Sequence, residues 1–166
     1  MVELNSASSN ELSKYTDQFT RILQQVCQTT DWEYGEVWLP QLDSPILELS
    51  SAWYVSAQLD DDRQLAWKQF RYCSEKFVLR IGEGLPGRVW ASQTTEWIMD
   101  VSAQSESYFL RHQIAKAFGA KASFGLPINT KDMHAVVAFF RSEAQNQNAQ
   151  LMAATEAIVR QSHTQG

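Results

Sequence analysis

The run Val136-Val137-Ala138-Phe139-Phe140 is apolar at every position. Successive side chains on a strand point to opposite faces, so such a strand has to be covered on both sides. The run predicts a strand over 134–141, central in its sheet, with helices above and below. The rest of the chain supplies partners. Leu12, Tyr15, Phe19, Ile22, Leu23 and Val26 recur at three- and four-residue spacing, an amphipathic helix over about 10–29, with Ser8-x-x-Glu11 as its capping box. Residues 35–39, closed by Pro40, and 46–57 read as a hairpin. Asp60-Asp61-Asp62 opens a second helix, since acidic residues suit a helix N-terminus.

Further along, residues 77–79 read as a short strand. A Gly-rich turn at 82–87, a helical turn near 86–92 and a strand over 97–101 follow. Residues 102–107 read as a polar loop, and 108–118 as a helix stopped by Gly119. Strands at 122–128 and 134–141 are joined by the turn Asn129-Thr130-Lys131-Asp132. A last helix, capped by Asn146 or Asn148, carries Leu151, Met152, Thr155, Ile158 and Val159. The expected architecture is α+β: a central antiparallel sheet of five to six strands with helices on both faces. Residues 1–9 are polar and expected to form a flexible N-terminus; 10–163 are expected to form one domain.

Composition narrows the function classes. The net charge is −5 with no basic run, which argues against nucleic acid and against an anionic membrane surface. No apolar run approaches the roughly 20 residues of a membrane span, and the polar start lacks a signal-peptide core. A soluble, cytoplasmic protein is expected. Cys27 and Cys73 are the two cysteines, with neither disulfide nor metal spacing, and read as free thiols. His112, His134 and His163 show no metal pattern, so no metal is expected. No nucleophile-elbow sequence appears, and no catalytic group is assigned. Six Trp, eight Phe and five Tyr either fill a core or line a pocket.

The turn reads Gly82-Glu83-Gly84-Leu85-Pro86-Gly87-Arg88-Val89-Trp90. Its glycines permit positive φ and close backbone approach, and Pro86 suits a first helical turn. No Gly-Lys-Ser/Thr follows, so it is not a phosphate loop. With Gly35 to Pro40, Trp53-Tyr54, Glu96-Trp97-Ile98-x-Asp100-Val101 and Lys121 to Ile128, this segment resembles a GAF domain over about 20–160. The flavour is similar to GAF modules of cyanobacterial and other bacterial sensor proteins.

The resemblance implies a GAF/PAS-like fold and a non-catalytic, signalling and regulatory role. A small molecule would sit between the sheet and the 86–92 and 108–118 helices, and occupancy would be relayed through the terminal helices. The implied pocket candidates are Trp53, Phe77, Leu85, Val89, Trp90, Trp97, Phe109, His112 and Ser123, each with a core or surface position as its bland alternative. Arg88 and Arg111 are anion partners or, as the default, solvated surface residues. The resemblance also implies a homodimer through the terminal helices, or a signalling partner protein. A ligand-free dimerisation or protein-docking module is the alternative, favoured if Trp and Phe fill the cavity.

Phytochrome-like relatives hold a bilin on a Cys of the helix where His112 stands. No Cys lies in 74–166, so no covalent bilin is expected at that site. The GAF family that reduces free methionine sulfoxide needs redox cysteines around its cavity, and neither Cys27 nor Cys73 suits that role. Asn129, Lys131 and Asp132 read as turn residues rather than a cyclic-nucleotide set. The sequence names no cofactor or ligand. It opens on Met and holds no output domain, which fits a free-standing protein or a piece of a larger sensor equally.

Overall fold

The two-sided strand sits where its composition puts it. The computed structural model describes the backbone of residues 2–41 and 43–164 and the side chains of 14–41 and 43–161. Six strands form one antiparallel sheet: β1 (Tyr34–Pro40), β2 (Ile46–Val55), β3 (Val78–Arg80), β4 (Glu96–Ile98), β5 (Ser123–Asn129) and β6 (His134–Phe140). Their order is β3-β2-β1-β6-β5-β4, so β6 lies between β1 and β5. Among the described residues five α-helices accompany the sheet: α1 (Val2–Thr29), α2 (Asp61–Ser74), α3 (Gly84–Ser92), α4 (His112–Phe118) and α5 (Ala149–Thr164).

Strand alternation divides the interior into two cores. Ala135, Val137 and Phe139 of β6 meet Phe19, Ile22, Leu23 and Val26 of α1 and Val159 of α5. Val136, Ala138 and Phe140 meet Trp67 and Phe70 of α2, Leu85 and Val89 of α3, and Ala115 of α4. The second face is the one on which the site forms. Beta1 repeats the alternation: Tyr34 and Trp38 belong to the α2–α4 face and Val37 to the α1–α5 face. No helix among the described residues is long and apolar enough to cross a membrane.

Local chemistry explains the boundaries. The Asp60 carboxylate accepts from Arg63 N at 2.7 Å and caps α2, while Asn148 Oδ1 accepts from Leu151 N at 3.0 Å and caps α5. The Gly-rich turn needs its glycines for two reasons. Gly82 and Gly84 have φ of 82° and 63°. Gly87 packs so closely that a Cβ there would stand 2.5 Å from Arg80 O.

Some elements differ from expectation. Alpha1 begins at Val2, and the side chains of Ser8 and Glu11, the expected capping box, lie outside the described residues. The strand expected over 97–101 is only Glu96–Ile98, because the Asp100 carboxylate binds Ser102 N at 2.9 Å and Ser102 Oγ at 2.6 Å and starts a 3₁₀ turn, Val101–Ala103. The helix expected over 108–118 is only His112–Phe118. Residues 105–111 form successive turns, with Tyr108 N and Phe109 N both donating to Ser105 O. Phe109 and Arg111 both point inward while Tyr108 is exposed. Positions two apart do not share a helix face, so burying both requires leaving the helix.

Replacing Gly87 by Ala forces backbone against Cβ, which no rotamer relieves, and is expected to cost about 1–3 kcal/mol. Urea unfolding measures it: the midpoint falls with the slope unchanged. A midpoint equal to that of the wild type would contradict the packing of this turn.

Candidate functional site

A carboxylate stands in the middle of the sheet. Glu36 shares its face of β1 with Tyr34 and Trp38, is fully buried, and lies opposite Trp53 on β2 and Ala138 on β6. An isolated buried carboxylate would be costly, and this one is met by four donors. Arg111, reaching in from the turn before α4, donates from Nη1 to Oε1 at 2.9 Å and from Nη2 to Oε2 at 2.7 Å. The Tyr34 hydroxyl donates to Oε1 at 3.0 Å, and Trp38 Nε1 donates to Oε2. The fork of two parallel N–H bonds is the geometry that only arginine offers a carboxylate.

The guanidinium is held equally closely. Arg111 is 2% exposed. Its Nη1 also donates to Ser74 Oγ at 3.0 Å. Its central carbon lies 5.0 Å from the Trp38 ring centroid, 5.2 Å from Phe70, 5.3 Å from Phe109 and 5.5 Å from Phe140. Aromatic faces are negative and attract a cation, more so when water is excluded. The result is a chamber between the sheet and α2–α4 with an internal ion pair at its centre.

A second guanidinium borders the chamber. Arg71 is 5% exposed, packs 5.9 Å from the Trp53 ring, reaches Glu75 at 3.4 Å and donates from Nη2 to the Ser50 carbonyl. Its Nη1 is buried and has no partner among the described residues. Burial, then the charge of Glu36, pushes the Tyr34 phenol well above its usual range, against the opposing pull of Arg71 and Arg111.

Outside the chamber the same segment is clasped again. Arg88 of α3 binds both oxygens of Glu96 on β4, the shortest contact being 2.6 Å. Its guanidinium lies 4.0 Å from the Tyr108 ring centroid and donates to the Tyr108 carbonyl, while the Tyr108 hydroxyl donates to Glu96 at 3.2 Å. Burial, then Glu96, raises the Tyr108 phenol. Arg88 is therefore a partly exposed clasp rather than a free surface group.

The residues expected to line a pocket separate as follows. Leu85, Val89 and Phe109 are buried on the chamber face, and Trp53, Phe77 and Trp90 are half-buried at its edges. Leu85 and Val89 press on Gly125 of β5, where a Cβ would meet each at 3.2 Å. Ser123 Oγ and His112 Nε2 are buried without a partner among the described residues. Trp97 is a correction: it packs on the opposite face, 5.4 Å from Trp32 and 5.9 Å from Phe124, with its indole N–H on the Gln145 carbonyl at 2.9 Å. On β4 its neighbour Ile98 takes the chamber face, so strand parity turns Trp97 away. Arg111 is a second correction, since it is buried rather than solvated. Glu36 was missed, although its alternation with Tyr34 and Trp38 was a readable signal.

Cys27 is buried on the α1–α5 face, and burial, then Glu33, pushes its thiol up to about 12. Among the described residues no three His, Cys, Asp or Glu side chains could together hold a metal ion. The side chain of His163 lies outside the described residues.

A six-stranded antiparallel sheet with the terminal helices on one face and shorter helices on the other is the architecture of the GAF fold. The family model described as the NLP protein GAF domain matches residues 6–165, and the chain belongs to the GAF family. Among solved structures it is similar to a GAF domain/HD domain protein from Geobacter sulfurreducens, with TM-score 0.66, 8% identity, and 93% of this chain and 92% of that one covered. It is similar to the free methionine-R-sulfoxide reductase of Neisseria meningitidis in complex with its substrate, with TM-score 0.56, 13% identity and coverage of 93% and 83%. It is also similar to Staphylococcus aureus NreA mutated in its nitrate binding site, with TM-score 0.54, 16% identity and coverage of 80% and 91%. At such identities the likeness is one of fold. No curated protein matches the sequence.

Two outcomes are expected from this geometry. Glu36→Gln leaves the Arg111 charge uncompensated in the interior and is expected to cost about 3–5 kcal/mol, whereas Arg88→Ala at the quarter-exposed clasp costs less than about 1 kcal/mol. Thermal or urea unfolding ranks them, and the reverse order would contradict the site. Burial, with its thiol pushed up to about 12, keeps Cys27 in the unreactive neutral form at pH 8. It should resist an aromatic disulfide reagent until the protein is denatured; rapid labelling of native Cys27 would refute its placement.

Proposed function

We propose that this GAF domain is a non-catalytic regulatory module that binds a small molecule in the chamber between the sheet, α3 and residues 105–118, and relays occupancy through α1 and α5. The observation that carries this reading is the Glu36–Arg111 pair. A buried ion pair contributes little stability beyond what apolar packing would give, so retaining one fits a switch or binding role better than a structural role. The pair joins a central strand to a segment whose backbone–backbone bonds are local and which side chains such as Arg88 tie to the rest of the fold, so a second position would exchange side-chain contacts rather than sheet bonds. A ligand that prefers one position shifts the population by its difference in affinity. The relay has a short route, because Phe139 and Phe140 are chain neighbours on opposite faces of β6.

The nitrate site named for NreA makes a small anion one candidate to test, with Arg71 and Arg111 as the cationic groups at hand. Reductase chemistry like that of the Neisseria enzyme is not part of the proposal, because Cys27 lies on the far face of the sheet from the chamber.

A second reading is a ligand-free dimerisation or docking module using α1 and α5. The observation that favours it is that Tyr34, Trp38, Trp67, Phe70, Phe109 and Phe140, all 0–1% exposed, occupy the chamber. Native mass spectrometry of protein purified from its own source separates the two. The sensor reading expects a bound small mass that is released on denaturation and lost in Glu36→Gln. A bare chain mass, seen as a dimer that Ile158→Asp disrupts, would instead establish the docking module.

A further inference from the structure

The chamber is walled by two kinds of element, regular strands and helices on one side and a run of turns on the other. Glu36 and Trp38 are on β1, which pairs with β2 and β6 on its two sides, and Phe140 is on β6 itself. Phe70 and Ser74 are on α2. Arg111 and Phe109 come from the turns at 105–111, where Tyr108 N, Phe109 N and His112 N all bond to carbonyls within the segment. Its hydrogen bonds to the rest of the fold are made through side chains, Arg88 on the Tyr108 carbonyl and Arg111 on Glu36 and Ser74, so it is the side that can exchange its contacts without breaking the sheet.

What remains when Arg111 leaves is chemically definite. The chamber then presents a carboxylate already holding the Tyr34 hydroxyl and the Trp38 N–H, the Ser74 hydroxyl, and the rings of Trp38, Phe70 and Phe140. A desolvated carboxylate among aromatic faces selects a cation, by charge and by the ring quadrupoles. We propose that this chamber is a site for an organic cation bearing a guanidinium or primary ammonium headgroup, and that Arg111 is the chain's own occupant of it. The proposal rests on the sensor reading and specifies its ligand class. An anion seated at Arg111 would need Glu36 to withdraw, and Glu36 is fixed between two strands. Arg71 does not supply the missing cation, since it is committed to Ser50, Glu75 and Trp53. Among the described residues, the unpartnered Arg71 Nη1 is the feature that favours an anion.

The exchange is like for like: a ligand guanidinium takes the two bonds to Glu36, the bond to Ser74 and the ring contacts that Arg111 gives up. Its apparent affinity is lowered by the fraction of molecules in which Arg111 is seated. Removing that competitor should therefore reveal the site.

The test uses the full chain as Arg111→Met, which retains most of the apolar bulk, titrated with ethylguanidinium, neutral ethylurea and sodium nitrate at constant ionic strength. Calorimetry and thermal unfolding are the readouts. Saturable binding of ethylguanidinium with a raised Tm is expected, at least about tenfold tighter than ethylurea, and abolished by adding Glu36→Gln. Equal binding of the two, or binding that survives loss of Glu36, overturns the proposal. So does an absence of binding to the folded variant. Nitrate binding that is lost on Arg71→Met overturns the cation class while leaving the sensor reading intact. If Arg111→Met does not fold unaided, refolding rescued by ethylguanidinium and not by ethylurea supports the proposal, and rescue by neither overturns it.

Discussion

A charged carboxylate on the middle strand of a sheet obliges the surrounding structure to answer it. Glu36 is sealed from water by α2 and by the turns before α4, and each of its oxygens takes one Arg111 N–H and one aromatic-residue donor. That requirement reaches outward. To deliver Arg111 to the strand, the chain leaves the helix between 105 and 111, and leaving it turns Tyr108 to the surface, where Arg88 and Glu96 clasp it. The rings around Arg111 are placed by β1, β6, α2 and the turn itself, so four parts of the fold meet on one cation.

The opposite face has no comparable centre. Trp32 packs on Trp97, Phe124 and Phe139, and its indole N–H donates to Thr155 of α5 at 3.0 Å. That face is a largely apolar, close-packed core beneath α1 and α5. On the proposed sensor reading, a displacement in the chamber reaches the terminal helices through strands that place one residue on each face in turn. Among the described residues the two faces therefore differ, one holding a buried ion pair and the other none.

Much of the fold was legible in the sequence because it follows local rules. The apolar run of β6 required two covered faces, Asp60-Asp61-Asp62 and either Asn146 or Asn148 announced helix starts, and the Gly-rich turn allowed a close backbone approach. The site was harder to read. An arginine within an apparently amphipathic segment reads as solvated, and only tertiary packing draws Arg111 inward. Glu36 carried a usable signal in its shared parity with Tyr34 and Trp38, but an acidic residue in a strand normally faces water. Trp97 went to the other face because the direction of a three-residue strand depends on its register with β5, where Trp97 pairs with Phe124, and no local pattern supplies that register.

The most direct test of the account is a double-mutant cycle on the pair, using Glu36→Gln, Arg111→Met and both together, with unfolding free energies measured at one pH and salt concentration. If Glu36 and Arg111 depend on each other, the double variant is far more stable than the sum of the single losses implies, with an interaction energy of at least about 2 kcal/mol. Single losses that simply add, to within about 0.5 kcal/mol, would mean that the two side chains do not meet in the interior, and the chamber described here would not exist.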